Sequence, residues 1–309
     1  MKKTILKVIG YTLVLASFYF IYYTFRKIEF SQIAFIFQVK WISIILVSSL
    51  VYSLISFLRA YNWEKLLFFF SGKNTPGREL SSIYLKTEIA KYIPSNMVHF
   101  AGRHLLAKKY HYTHTQLVFS NVFDMALVAA AAALMAFMGF IFGAVVLPAE
   151  LLAFFTWQKL LVGLGAALFL LGLILFKKKA VLSSKIQEFL SWNKLFFGVK
   201  IFGWYFIVFF ISGGLLFGLF YFMDTGALDF YSYLRITVGY SLAWLSGFVI
   251  PGAPGGLGIR EAVLIFLFTP LFGEATTLAA GLMLRIITIL GDVWAFFYGT
   301  FLQVKAPKP

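Results

Sequence analysis

The sequence predicts an all-α polytopic membrane protein of about eight transmembrane helices plus a re-entrant helical pair, with an internal two-fold pseudo-repeat. Three observations predict it. Hydrophobic residues make up 61% of the 309 positions and charged residues only 13%, whereas a soluble globule is nearer half apolar. The apolar runs are continuous rather than alternating, which selects helices over a barrel. Two polar breaks of like pattern also stand in opposite halves: Ile93-Pro94 with Arg103 nine residues beyond the proline, and Ile250-Pro251 with Arg260 nine residues beyond. Broken backbone with an arginine, placed twice at membrane depth, is how transporters build a binding site between internal repeats. The whole chain, 1–309, is read as one membrane domain with repeat halves 1–156 and 157–309.

The first apolar run, 5–25, follows Lys2 and Lys3 but is too long for a signal peptide and has no small-residue cleavage site after it, so it is read as a spanning helix. A second span covers 41–58. Between Arg59 and Gln116 the chain is too polar to cross, yet 80–90 and 97–107 carry apolar residues at helical spacing on either side of Pro94. This predicts two half-helices that dip in and return; the alternative is an amphipathic helix lying at the interface. Further spans are predicted over 117–141 and 157–176, closed by Lys177-Lys178-Lys179. An amphipathic segment over 180–200 leads to spans 201–223 and 230–250, separated by Asp224 and Asp229. Pro251 to Gly258 holds four glycines and two prolines, so no helix survives there. The last two spans are 259–273, which is short, and 275–302.

The net charge of +15 does not point to nucleic acid, because the basic residues follow a topology. With the N-terminus cytoplasmic, 21 of the 27 Lys and Arg fall in 1–8, 59–116, 177–200, 251–260 and 303–309. That is the positive-inside bias of a multi-pass cytoplasmic (inner) membrane protein with both termini cytoplasmic. It puts both broken motifs on the cytoplasmic side, which fits parallel repeats or a miscounted crossing, whereas alternating access favours inverted ones. The absence of cysteine excludes disulfides, thiolate metal sites and cysteine nucleophiles. His111 and His114 have a metal-compatible spacing, but with no nearby carboxylate no metal site is expected, and no cofactor is either.

The candidate site rests on charges that are costly inside a bilayer. Gly255, Gly256 and Gly258 precede Arg260 and Glu261 at the start of a helix, where free N–H groups and the dipole favour an anion such as a lipid head-group phosphate. Arg260 and its counterpart Arg103 offer bidentate contacts to that phosphate. The string lacks the Lys-Ser/Thr ending of a nucleotide-binding P-loop. Asp124, Arg285 and Asp292 lie inside predicted spans, and Arg285 and Asp292, seven apart, share a helix face. Together with Arg260 and Glu261 they are expected to line one intramembrane polar cavity, to which Glu88 adds from the first break; the alternative is an Asp124–Arg285 ion pair. Glu88 and Lys91, three apart, are expected to pair locally.

These strings, Lys91-Tyr92-Ile93-Pro94 with Gly102-Arg103, the Asn121 to Asp124 region, Gly247-Phe248 through Ala262, and Leu284-Arg285, resemble the lysylphosphatidylglycerol synthase transmembrane-region family of flippase-like membrane proteins. The resemblance covers nearly the whole chain. Asp124 stands where many relatives have glutamate, and Ser95 where glycine is usual. The resemblance implies a membrane domain that translocates a lipid, joined in full-length relatives to a soluble aminoacyl transferase. With Pro309 soon after the last predicted span, the transferase is not expected here.

The function expected is that of a lipid flippase or lipid-transfer protein for an anionic or aminoacylated phospholipid of the phosphatidylglycerol type, or for a polyprenyl phosphate-linked lipid. Two alternatives from other classes stay open: a membrane-embedded transferase acting on lipid-linked sugars, with Glu88, Asp124 or Glu261 as base, and a non-transporting accessory of envelope-biosynthesis enzymes. Membrane lipids are the expected partners, and nucleic acid is not.

Overall fold

A computed structural model describes residues 34–73, 75–92, 98–143, 192–223, 226–250 and 254–302. Among them are eight α-helices and no strand: α1 Val39–Ser71, α2 Gly77–Glu88, α3 Val98–Ala107, α4 His114–Ile141, α5 Trp192–Phe222, α6 Phe230–Val249, α7 Ile259–Phe272 and α8 Glu274–Phe301. The spans expected at 5–25 and 157–176, and segment 180–191, lie outside the described residues, as do Pro94 and Pro251.

Among the described residues, four helices are long and apolar enough to cross a membrane: α1, α4, residues Phe196–Phe222 of α5, and α8. Helices of this length and composition are those of an integral membrane protein. Their outward faces carry Val39, Val47, Leu54, Phe119, Phe222 and Phe297, all exposed, as a helix with lipid for solvent requires. The second predicted span was placed too short. Apolar and aromatic residues resume after Arg59, and nothing breaks the helix before Gly72, so α1 runs on to Ser71. Likewise α5 starts at Trp192 and absorbs the end of the segment expected to lie at the interface.

Contacts along the helices fix their directions. Phe69 stacks on Phe197 and Tyr61 meets Trp204, so α5 runs antiparallel to α1. Phe57 packs on Tyr298 and Ser49 accepts a hydrogen bond from Trp294, so α8 runs parallel to α1. Helices α2 and α3 form a hairpin based at the end of the bundle that carries Lys73 and Lys108. Lys73 donates to the His111 carbonyl at 2.5 Å, and Thr75 and Tyr112 share a hydrogen bond. Its base is joined to α4 through a capping box in which Thr113 accepts from the Gln116 N–H and Gln116 accepts from Thr113. Thr113→Ala should lower stability by about 1 kcal/mol, read as a small drop in melting temperature.

Helices α6 and α7 form the second hairpin, based at the opposite end. Tyr231 donates to the Gly143 carbonyl at the far end of α4, and Phe272 stacks on Phe220 near the end of α5. Asp229 caps α6, and the backbone N–H and hydroxyl of Ser232, both at 2.8 Å, hold its carboxyl below the ordinary range. At 14 residues, α7 rises only about 21 Å, short of the roughly 30 Å hydrocarbon core.

The large apolar core runs through α1, α4, α5, α6, α7 and α8 around Ile55, Met135, Phe209, Phe220, Phe268 and Met283. A smaller one of Trp63, Leu67, Leu80, Leu85, Leu117 and Ala295 seats α2 between α1, α4 and α8. The two hairpins therefore approach each other within a frame of long helices.

Candidate functional site

The hairpins meet tip to tip. Tyr92, closing the 3-10 turn Ile89–Tyr92 that extends α2, lays its ring against Gly255 in the turn Pro254–Gly256. A Cβ on Gly255 would stand 3.1 Å from two ring carbons, and its φ of +57° already favours glycine. Gly256 serves its own hairpin, because a Cβ there would lie 2.5 Å from Nε of Arg260. The glycine string thus makes room for an aromatic ring and an arginine stem. Gly258 is engaged as well: its N–H donates to Glu261 Oε2 at 2.8 Å.

The charged residues separate into two groups on either side of this contact. The first lies behind Tyr92. Glu88, 1% exposed, accepts from Arg59 at 2.8 Å, from Lys91 at 3.2 Å and from Arg103 in a short contact. Arg103, fully buried, also reaches Asp124 at 3.4 Å and lies 3.6 Å over the Tyr84 ring. Tyr205 of α5 donates to the other Asp124 oxygen. Asp292 of α8 takes Lys91 at 2.8 Å and the Tyr92 hydroxyl at 2.6 Å. Three cations therefore face three carboxylates. Helix rise places Arg59 about 18 Å from the end of α1, Asp124 about 15 Å from the start of α4 and Asp292 about 14 Å from the end of α8. That is about a third of the way along each of these helices, where an unpaired buried ion is costly.

The second group lies across the tips. Arg285 donates to the Gly255 carbonyl at 3.1 Å, stands 3.8 Å from Glu261 and lies 5.4 Å from the Tyr92 ring centre. Its Nε and Nη2 are buried and have no partner. Arg260 lies 5.6 Å from the Trp244 ring centre, its buried Nε is also unpartnered, and no carboxylate pairs with it among the described residues. Beside these side chains is a cavity of about 160 Å³ between α7 and α8, lined by Leu257, Gly258, Glu261, Ile265, Gly281 and Arg285. A smaller one next to it shares Glu261, Gly281 and Arg285 and adds Arg260, Trp244 and Thr288.

The single cavity expected from the sequence is thus divided. Arg260, Glu261 and Arg285 come together, whereas Asp124, Asp292 and Glu88 belong to the neighbouring ion cluster. Asp124 pairs with Arg103 and not with Arg285, because the stretch of α4 around Asp124 faces the first hairpin. The local Glu88–Lys91 pair is present. Arg59, Tyr92, Tyr205 and Trp244 were not singled out from the sequence. Arg59 sits at the end of an apolar run, where an arginine reads as an interfacial flank, and buried aromatics look the same in sequence as lipid-facing ones.

A sequence model described as lysylphosphatidylglycerol synthase TM region matches residues 7–294. The chain belongs to that family. The match spans both hairpins, α1, α4 and α5 in full and α8 as far as residue 294, and so includes both charged groups. Membership gives this lysylphosphatidylglycerol synthase TM-region protein a lipid-related setting. No curated protein matches the chain significantly.

Proposed function

We propose that this family member is a lipid flippase or lipid-transfer protein that moves a phospholipid or polyprenyl phosphate-linked lipid across the cytoplasmic membrane. The observation that carries the reading is the tip-to-tip meeting of two hairpins from opposite ends, beside a cavity lined by the incompletely partnered Arg285, with Arg260 next to it. In this reading α2 and α3 form a re-entrant pair. Each half of the described fold is a long helix, a hairpin and a long helix, and the halves are inverted, as in alternating-access transporters.

The head group enters laterally, its phosphate contacts Arg260 and Arg285, and the acyl chains stay in lipid. Arg103, committed to Glu88 and Asp124, positions the first hairpin instead of binding the lipid. A transferase reading receives less support, because Glu88, Asp124 and Glu261 are each already held by cations or hydrogen-bond donors and none is poised as a free base.

The test is dithionite quenching of fluorescent phosphatidylglycerol in proteoliposomes, with Gly281→Leu as the blocked form. A Cβ at Gly281 meets nothing within 4 Å, and Gly281 lines both cavities, so a leucine there is expected to fill them. Wild-type protein should raise quenching beyond the outer-leaflet share. The variant should melt normally yet lose at least about 90% of the excess, roughly the tenfold effect of 1.4 kcal/mol. Quenching equal to that of protein-free vesicles for every lipid tested would reject lipid movement.

A further inference from the structure

We infer that the cavity between α7 and α8 holds the head-proximal carbons of one phospholipid acyl chain, so that the chain seats the head group at the hairpin tips. The inference rests on the lipid-movement reading and narrows it, since the remainder of both chains stays in lipid. The lining residues recur at helical spacing, Leu257, Glu261 and Ile265 along one side and Leu278, Leu282 and Arg285 along the other. The chain turns back at Gly273 between the two helices. The cavity therefore runs from Ile265 and Leu278 at one end to Gly258 and Arg285 at the other, next to the tips. Leu278 to Arg285 spans about 10 Å of helix.

The lining decides what fits. Away from the tips the wall carries leucine and isoleucine side chains, and the polar groups stand at the tip end. There the Gly258 N–H already holds Glu261, and Arg285 already donates to the Gly255 carbonyl. A buried water needs two to four polar partners, whereas an apolar cavity of about 150 Å³ stays dry and binds benzene. At about 160 Å³, this cavity suits roughly six carbons. Left unfilled, its lining would forgo contacts on one side. An acyl chain supplies them at little cost, because lipid tails are as apolar as leucine.

The cavity is also within reach of the bilayer. Gly281 is buried, yet a Cβ there would meet nothing within 4 Å, so the space lies along α8 itself. Phe266, next to Ile265, and Ile286, one turn beyond Leu282, are both exposed. These apolar side chains face lipid, and the cavity opens beneath them. A chain that enters with its ester end toward the tips brings its phosphate to the side of Arg285. The neighbouring space at Arg260, about 20 Å³, has room for about one water and not for a head group. Binding strength then resides in the chain, and the head group is positioned by it.

The experiment is photo-cross-linking in nanodiscs, with phosphatidylglycerol carrying a diazirine either next to the ester of one chain or at the chain end, followed by peptide mapping. The ester-proximal probe is expected to label 257–265 and 278–285 in preference to the chain-end probe, and an excess of glycerophosphoglycerol is expected not to compete. Gly281→Leu should lower this labelling at least about tenfold, the equivalent of about 1.4 kcal/mol. Leu282→Ala, which lengthens the apolar space, should retain the labelling and extend it to the chain-end probe, and it keeps the question answerable if Gly281→Leu does not fold. Equal labelling of these segments by both probes in the wild type would overturn the inference, as would competition by the soluble head group or labelling unchanged in both variants. The quenching assay separates the two readings. Cavity labelling without movement of any lipid upholds the tail site and rejects transport, whereas movement without cavity labelling does the reverse.

Discussion

Glu88→Ala is expected to destabilise the protein by about 3–5 kcal/mol, the cost of removing one partner from a buried ion cluster. Glu88 is 1% exposed and is the only carboxylate among the described residues that bridges Arg59, Lys91 and Arg103. After its removal Lys91 keeps Asp292 and Arg103 keeps Asp124, but Arg59, inside the bundle, keeps no carboxylate. Its remaining contact is the Tyr84 ring at 5.9 Å, and a distant ring does not replace a hydrogen-bonded carboxylate.

Two further variants identify the cause. Glu88→Ala combined with Arg59→Met should recover part of the loss, because an apolar pair removes the stranded charge. Lys91→Ala should cost less than Glu88→Ala, since Glu88 keeps two arginines and Asp292 keeps the Tyr92 hydroxyl. Thermal melting in detergent reads all three, and a Glu88→Ala protein that melts like wild type would show the cluster to be energetically idle.

Gly291→Leu is expected to cost about 3 kcal/mol, the upper part of the usual range for overfilling a packed interface. On α8 a Cβ at this position would lie 2.5 Å from Cδ1 of Tyr52 and 2.9 Å from the backbone oxygen of Ser49. The tyrosine ring could rotate, but the Ser49 carbonyl belongs to the backbone of α1, so the two helices must separate. Asp292, the next residue, would move with α8, and its bonds to Lys91 and Tyr92 would lengthen. The expected result is a lower melting temperature together with loss of lipid movement. Gly281→Leu on the same helix provides the contrast, because it should remove movement while leaving melting unchanged. If the two variants melted alike, the close approach of α8 to α1 would not be a source of stability.

The position of Arg260 shows where sequence reading stopped. Counted among the flanking basic residues, it drew the second broken motif to the same side as the first. In the fold it lies at the tip of a hairpin based at the other end of the bundle from the first. A charge count assigns sides but has no measure of depth, and one arginine after a glycine-rich break carries the same formal charge at an interface as in mid-bundle. The same limit explains Arg59, which looked like the end of a helix that in fact continues for twelve more residues.

The sequence by itself determined that the chain is helical and membrane-embedded and where its helices break. Those properties follow from local composition, from the scarcity of tolerable charges in apolar runs, and from the inability of proline and glycine clusters to continue a helix. The tertiary structure decided which cation meets which carboxylate. Pairing depends on residues as far apart in the chain as Lys91 and Asp292 being brought together by helix packing. It is this pairing that sets three cations against three carboxylates in one group and leaves Arg260 without a carboxylate among the described residues.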